Sequence, residues 1–318
     1  MKKVFLSLFF AVFVGLTLLF AFLKFQDSKR STYSPLPNFL TLFENRQVST
    51  LNIWLPNLNS RAIGTIKTPE VSARASLIYD LTTNRVMFAK NAKEKLPMAS
   101  ITKIMTAIIA LENKKKDDKY FVTHKDLVGE NSMGLTAGEV LSLRELLYGL
   151  MLRSGNDAAE TLANNFPGGR TKFIETMNNK VKALGLSDTN FTNPTGLEGD
   201  GKQYTTAYDL IVITKYAVLN FSLFDEVVST FDYNIPRTKT HKAYFLENET
   251  NLITSYPGVK GVKTGYTPEA GLCLVTYLDY GGHKIIGILL GSDNRRDEMK
   301  ELLDYSLRSL VVEPPAHD

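Results

Sequence analysis

Three short words occur in this chain in a fixed order: Ser100-Ile-Thr-Lys103, Ser154-Gly-Asn156 and Lys263-Thr-Gly265. At average residue usage a chain of this size holds roughly one or two S-x-x-K matches by chance, and K-T-G on the order of once in ten chains. All three in this order, each at a suitable point of a helix or a strand, form a strong signal. The chain has to fold so that a helix start, a helix break and a strand end converge. Together they supply the parts of a serine acyl-transfer site that needs no histidine.

The chemistry follows from the residue types. Ser100 and Lys103 are three apart at a helix start, so their side chains share a face. The helix N-terminus directs free N–H groups and positive potential towards the place where an oxyanion would form. A serine hydroxyl is a poor nucleophile until a base takes its proton. Lysine serves as that base only if its pKa falls from ~10.4 towards neutrality, through burial or a nearby positive charge, and Lys263 can supply the charge. Ser154-Gly-Asn156 breaks a helical stretch. There Ser154 can pass a proton between lysine and leaving amine, while Asn156 offers a donor and an acceptor to a substrate amide. Lys263 and Thr264 together suit a carboxylate, and Gly265 lets a substrate backbone approach the strand. Taken singly, the words read as a capped helix with a surface lysine, a turn, and a strand end; their company argues against that.

The surroundings place the words. Lys2 and Lys3 precede an uncharged apolar run, Val4 to Leu23. About twenty helical residues at ~1.5 Å each span the ~30 Å bilayer core, and no small-x-small cleavage site ends the run. Residues 1–24 are therefore expected to be an N-terminal membrane anchor or signal segment, with the remainder outside the cytoplasm. Residues 25–67 read as an extracytoplasmic linker, partly packed around Leu51-Asn-Ile-Trp-Leu55, and 68–318 as a catalytic domain. Ser76–Asp80 and Arg85–Ala89 read as a hairpin. Helices are expected over Ala99–Asn113, Leu141–Leu152, Ala158–Asn165 (capped by Asp157), Thr171–Leu184 (closed by Gly185) and from Thr206 to Leu219. Val259–Thr264, Leu272–Leu278 and Lys284–Gly291 read as strands, with Gly281-Gly282 turning the last two, and a final helix covers Arg296–Leu310. Strands at both ends and helices between predict an α/β chain of the α+β type: one antiparallel sheet built from both ends, with a helical insert packed against it.

Composition excludes other classes. The net charge of +4 comes without a basic cluster interleaved with aromatics, so no nucleic-acid partner is expected. The four histidines are scattered without metal-ligand spacing, and neither a metal nor a cofactor is expected. Cys273 is the only cysteine, which rules out an intrachain disulfide; its apolar surroundings read as a buried strand position.

With these residues in view, the sequence resembles the serine-type D-alanyl-D-alanine carboxypeptidases, the low-molecular-mass penicillin-binding proteins. Pro97-Met-Ala-Ser100-Ile-Thr-Lys103-Ile-Met-Thr-Ala107 is similar to their nucleophile motif, and Met151-Leu-Arg-Ser154-Gly-Asn156-Asp-Ala-Ala159 to the second. Gly261-Val-Lys263-Thr-Gly265-Tyr-Thr-Pro-Glu-Ala-Gly271 is similar to the third. Phe191-Thr-Asn-Pro-Thr-Gly196-Leu197 also matches a stretch common in that family, and the likeness runs from about Thr68 to Val312. The resemblance implies a transpeptidase/β-lactamase-like fold and removal of the terminal D-alanine from peptidoglycan stem peptides through an acyl-enzyme, with β-lactams as covalent inhibitors. It implies Ser100 as nucleophile and Lys103 as its base. Ser154 and Asn156 would relay protons and hold substrate, and Lys263 and Thr264 would bind the terminal carboxylate. The backbone N–H groups of Ser100 and Tyr266 would form the oxyanion hole. Arg295 is a second carboxylate ligand in this reading, in competition with Arg296. It also implies an enzyme held at the extracytoplasmic face of the cell membrane. Many members carry a C-terminal β-rich domain and an amphipathic membrane helix; neither is read here, and the N-terminal segment is expected to take over the tether. Tyr266 stands where histidine is frequent.

Three other readings keep the same residues. A D,D-endopeptidase would cut peptide cross-links with the same serine and lysine. A class A β-lactamase needs a glutamate placed to activate the deacylating water, and none occurs between Met177 and Leu197. A non-catalytic penicillin sensor would tolerate the loss of a motif residue, and none is missing.

Overall fold

The computed structural model describes residues 54–58, 66–250 and 252–317. The apolar run expected to anchor the chain, and most of the linker after it, lie outside the described residues. Among the described residues no helix is long and apolar enough to cross a membrane. Residues Ile53–Asp318 form one unit. Trp54 belongs to its packing, edge-on to Tyr79 with ring centroids 5.3 Å apart.

The unit begins with the hairpin β1 (Ala75–Asp80) and β2 (Arg85–Lys90). A 3-10 turn, Ala99–Thr102, leads into α1 (Lys103–Glu112). The short pair β3 (Tyr120–Phe121) and β4 (Val140–Leu141) frames a loop, and then come α2 (Leu143–Leu152), α3 (Asn156–Asn164), α4 (Gly169–Ala183), α5 (Ala207–Asn220) and α6 (Ser222–Val228). A second small hairpin, β5 (Asp232–Ile235) and β6 (Tyr244–Glu247), and one turn of helix, α7 (Leu252–Ser255), precede β7 (Val259–Thr267), β8 (Gly271–Tyr280) and β9 (His283–Ser292). The last helix is α8 (Arg295–Ser309).

The main sheet has the order β2-β1-β9-β8-β7, with every pairing antiparallel. Both ends of the chain build it, as expected from the run of elements. Its strands are covered on both faces, which is why β1 is buried at all six positions. Period-two alternation divides the side chains between the faces. On β9, Ile286, Ile288 and Leu290 join the core shared with α1 through α6, while Ile285 and Leu289 join a second core closed by Met299, Leu302, Leu303 and Leu307 of α8. Each of these fully buried aliphatic side chains contributes about 1.5–3 kcal/mol of transfer free energy. The helical insert therefore lies on one face, and the C-terminal helix closes the other.

Local signals set several boundaries. Ser142 caps α2 in a reciprocal box with Glu145, and Thr206 Oγ1 accepts from Asp209 N–H at 3.0 Å to start α5. Gly185 takes φ +76° just after α4, so that Leu186 N–H reaches Val181 O at 3.1 Å. Two expectations are corrected. The stretch read as one helix, Ala99–Asn113, is split into the 3-10 turn Ala99–Thr102, which opens with Ala99 at φ +47°, and an α-helix that begins at Lys103. Asp157 does not cap the third helix, which starts one residue earlier, at Asn156, behind Gly155; its carboxylate is drawn mainly to a loop far back in the chain. The β5–β6 hairpin is an element the sequence pattern did not reveal.

Candidate active site

Ser100 sits in the 3-10 turn, wedged between two glycines. A Cβ on Gly196, whose φ is +90°, would lie 2.0 Å from Ala99 O and 2.9 Å from Ser100 N. A Cβ on Gly265 of β7 would lie 3.1 Å from both Met98 O and Ser100 N. The turn thus touches backbone on two sides, which only glycine permits. One side is the K-T-G strand, the other the Phe191–Leu197 stretch.

Lys103, the first residue of α1, is fully buried. Its Nζ lies 2.9 Å from Ser100 Oγ, 2.7 Å from Asn156 Oδ1 and 2.7 Å from Thr195 O. Burial first, and then the Lys263 charge, hold its pKa well below the usual lysine value, against the opposing pull of Glu249, Asp157 and Glu160. Thr195 contributes through its carbonyl. That carbonyl is fixed because Asn193 Oδ1 accepts from the N–H groups of Thr195 and Gly196 at 3.1 and 2.7 Å, while Thr106 Oγ1 donates to Pro194 O at 2.6 Å.

The second word follows the end of α2. Ser154 has φ +54°, a left-handed conformation costly for a side-chain-bearing residue. Its Oγ is buried and has no hydrogen-bond partner among the described residues. The Asn156 amide is oriented by the bond from Lys103 to its Oδ1 and by its Nδ2, which donates to Gly129 O at 3.3 Å.

The third word lies on β7. Lys263 is buried, donates to Thr264 O at 3.1 Å, and has a pKa lowered to about 8. Burial is the main cause; Glu249 opposes it and Arg295 adds to it. Tyr266 is 63% exposed at the rim. Of the two competing arginines, Arg296 is exposed, whereas Arg295 Nη1 donates to Gly265 O at 2.7 Å and to Cys273 O at 3.3 Å. Burial lowers the Arg295 pKa. The structure thus brings the three words, Tyr266 and Arg295 to one site. Reading the sequence alone missed the Thr195 carbonyl, which a side-chain motif cannot announce, and Glu249, an exposed carboxylate whose charge is felt by Lys103, Lys263 and Arg295. Cys273 is buried, its thiol pushed up to about 11 by desolvation. Among the described residues no group of histidine, cysteine or carboxylates is arranged to hold a metal.

D-alanyl-D-alanine carboxypeptidase DacF of Bacillus subtilis is 34% identical over 251 residues, covering 76% of this chain and 64% of that protein. DacC of Escherichia coli, also named a D-alanyl-D-alanine carboxypeptidase, is 32% identical over 267 residues, covering 79% of this chain and 65% of that one. This chain therefore spans just under two thirds of those relatives' length. The solved DD-transpeptidase of Streptomyces K15 superposes with a TM-score of 0.72 at 33% identity, over 76% of this chain and 100% of that one. The fold is accordingly transpeptidase-like. A family model described as D-alanyl-D-alanine carboxypeptidase matches residues 63–294, and the chain belongs to that family.

Proposed function

We propose that this chain is a serine D-alanyl-D-alanine carboxypeptidase, which releases the terminal D-alanine of peptidoglycan stem peptides through an acyl-enzyme on Ser100. The observation that carries this reading is the set of partners around the buried amine of Lys103. A neutral lysine amine has two N–H donors and one lone pair. Asn156 Oδ1 and Thr195 O are acceptors only and take both donors, which leaves the lone pair facing Ser100 Oγ at 2.9 Å. Burial disfavours the charged form of the amine, which makes its lone pair available to receive the serine proton.

In the first step the Ser100 Oγ–carbon bond forms at the carbonyl of the penultimate D-alanine while the hydroxyl proton passes to Lys103. The backbone N–H groups of Ser100 and Tyr266 receive the negative charge that develops on the carbonyl oxygen. Collapse breaks the carbon–nitrogen bond, and Ser154, whose Oγ is otherwise unpartnered, relays the proton held by Lys103 to the departing amine, giving up its own hydroxyl proton and taking the lysine's in its place. Water then attacks the ester by the same route in reverse. Lys263 and Thr264 bind the terminal carboxylate, with Arg295 adding positive charge from behind the strand. A β-lactam enters the same first step and stays attached. The N-terminal apolar run would hold this site at the extracytoplasmic face of the membrane.

Intact mass of the purified protein mixed with penicillin tests the reading. A long-lived adduct is expected on the wild type and none on Ser100→Ala. An adduct that disappears within seconds as penicillin is consumed points to a β-lactamase, and no adduct on the wild type overturns the acyl-enzyme.

The Lys263 assignment has its own signature. With a pKa of about 8, its ammonium is charged below that pH and discharged above it. The kcat/KM for peptides with a free C-terminal carboxylate should fall as pH rises through about 8. Lys263→Ala should cost carboxylate substrates about tenfold more than ester analogues, in line with the loss of a charged hydrogen bond; equal losses on both refute the role.

A further inference from the structure

Asp157 is buried in the first turn of α3 and takes no part in the steps above. Its carboxylate accepts from Ser132 Oγ at 2.5 Å and from the backbone N–H groups of Met133, Gly134 and Leu135 at 3.0, 3.1 and 2.9 Å. It also accepts from Ala158 N–H at 2.9 Å. Four of these five partners are backbone N–H groups, which can only donate, and the carboxylate oxygens accept from all of them.

The segment it grips continues directly into the backbone that holds Asn156. Asn131 O accepts from the Asn156 N–H at 2.8 Å, and Gly129 O from the Asn156 Nδ2 at 3.3 Å. Between them Glu130 is held at φ +66°, a strained position that persists only where its surroundings enforce it. Two glycines make room for the arrangement. A Cβ on Gly155 would lie 2.8 Å from Asp157 Oδ1 and 3.2 Å from Met133 N, and one on Gly149 would lie 2.0 Å from Met133 Sδ. The middle residue of Ser154-Gly-Asn156 has φ −59°, which any residue can adopt. Its glycine is required by the space that the clamp occupies.

We propose that Asp157 is a positioning residue for acylation: by clamping residues 132–135 it fixes the carbonyls of Gly129 and Asn131, these fix the Asn156 amide, and the amide fixes the amine of Lys103. The inference rests on Lys103 being the base. Charges reach Lys103 from Lys263 on β7, from Glu249 between β6 and α7, and from Asp157 and Glu160 on α3. The negative charge of Asp157 favours the protonated amine, so removing it shifts the deprotonation of Lys103 to lower pH, and a loosened Asn156 acceptor acts in the same direction.

The test is the second-order rate of acylation by penicillin across pH for wild type, Asp157→Asn and Ser132→Ala, with Tm measured alongside. Asp157→Asn turns an amide NH2 towards N–H donors. Its acylation should fall about 10²-fold, the cost of a reacting group misplaced by roughly 1 Å, and the limb on which Lys103 loses its proton should move to lower pH. Ser132→Ala, on an exposed loop, loses the two bonds of the Ser132 hydroxyl, to Asp157 and from Gly134 N–H, and should acylate about threefold more slowly with little change in Tm. Rates within experimental error of wild type in either variant overturn the proposal, as does a slower Asp157→Asn whose pH limb stays in place, since that is what a purely structural role produces. Should Asp157→Asn not fold, the Ser132→Ala rate alone decides. A wild type that penicillin does not acylate overturns the functional reading and this inference together.

Discussion

Lys103→Ala should lower the rate of acylation by penicillin by about 10²- to 10⁴-fold, the range that a positioned general base contributes, while the protein stays folded. Ser100, Ser154, Lys263 and the oxyanion donors remain, so the loss isolates proton removal from the serine. The substitution leaves Asn156 Oδ1 and Thr195 O without the donor they share. Each buried acceptor left unpaired costs about 1–3 kcal/mol unless water enters the vacated space, so a lowered Tm is expected with a cooperative transition retained. Stopped-flow acylation with circular dichroism checks both. Near-normal acylation in a folded variant would remove Lys103 from the role of base.

Gly196→Ala should damage both stability and reaction, although Gly196 contributes no side chain. Alanine at φ +90° is strained, at about 1–3 kcal/mol. Its Cβ would fall 2.0 Å from Ala99 O, so the turn carrying Ser100 has to shift. A displacement on the order of 1 Å in a reacting group costs about 10²-fold in rate. Gly282→Ala is the control: Gly282 has φ +80° in the β8–β9 turn but nothing within 4 Å of the added Cβ. It carries the backbone strain without the collision, so it should lose stability and keep the acylation rate. Equal effects of the two variants on acylation would refute the wedge.

Particular residues explain what could be read from the sequence. Thr206, Gly185 and Gly281-Gly282 act on backbone within a few residues of themselves, and they marked element boundaries correctly. The strands β7 to β9 were legible because apolar runs are bounded by turn residues, and the sheet from both chain ends followed from their order. Asp157 was misread because an aspartate at a helix start most simply serves the neighbouring N–H groups, whereas most of its partners stand 22 to 25 residues upstream. The break at Ala99 is imposed by backbone from Gly196 and Gly265, a tertiary constraint that helix periodicity cannot register. The β5–β6 hairpin stayed hidden because Pro236 to Ala243 joins it without a short turn signature. In the site, the side-chain words were visible from the outset, whereas the Thr195 carbonyl could appear only once the chain was folded.

The order of strands in the main sheet also governs how the chain must be made. Asp80 at the end of β1 meets His283 at the start of β9 across 203 residues, and β9 is the central strand. Synthesis from the N-terminus delivers Ser100, Lys103 and Ser154 long before the strand that completes the sheet beneath them. Until β9 arrives, β1 has one unpaired edge, and its Ile78 face waits for the C-terminal helix that covers it. Such non-local closure is slow and leaves apolar surface open to association while it waits. A chain that ends before His283 would hold the nucleophile and its base without the central strand of the sheet that brings them to Lys263.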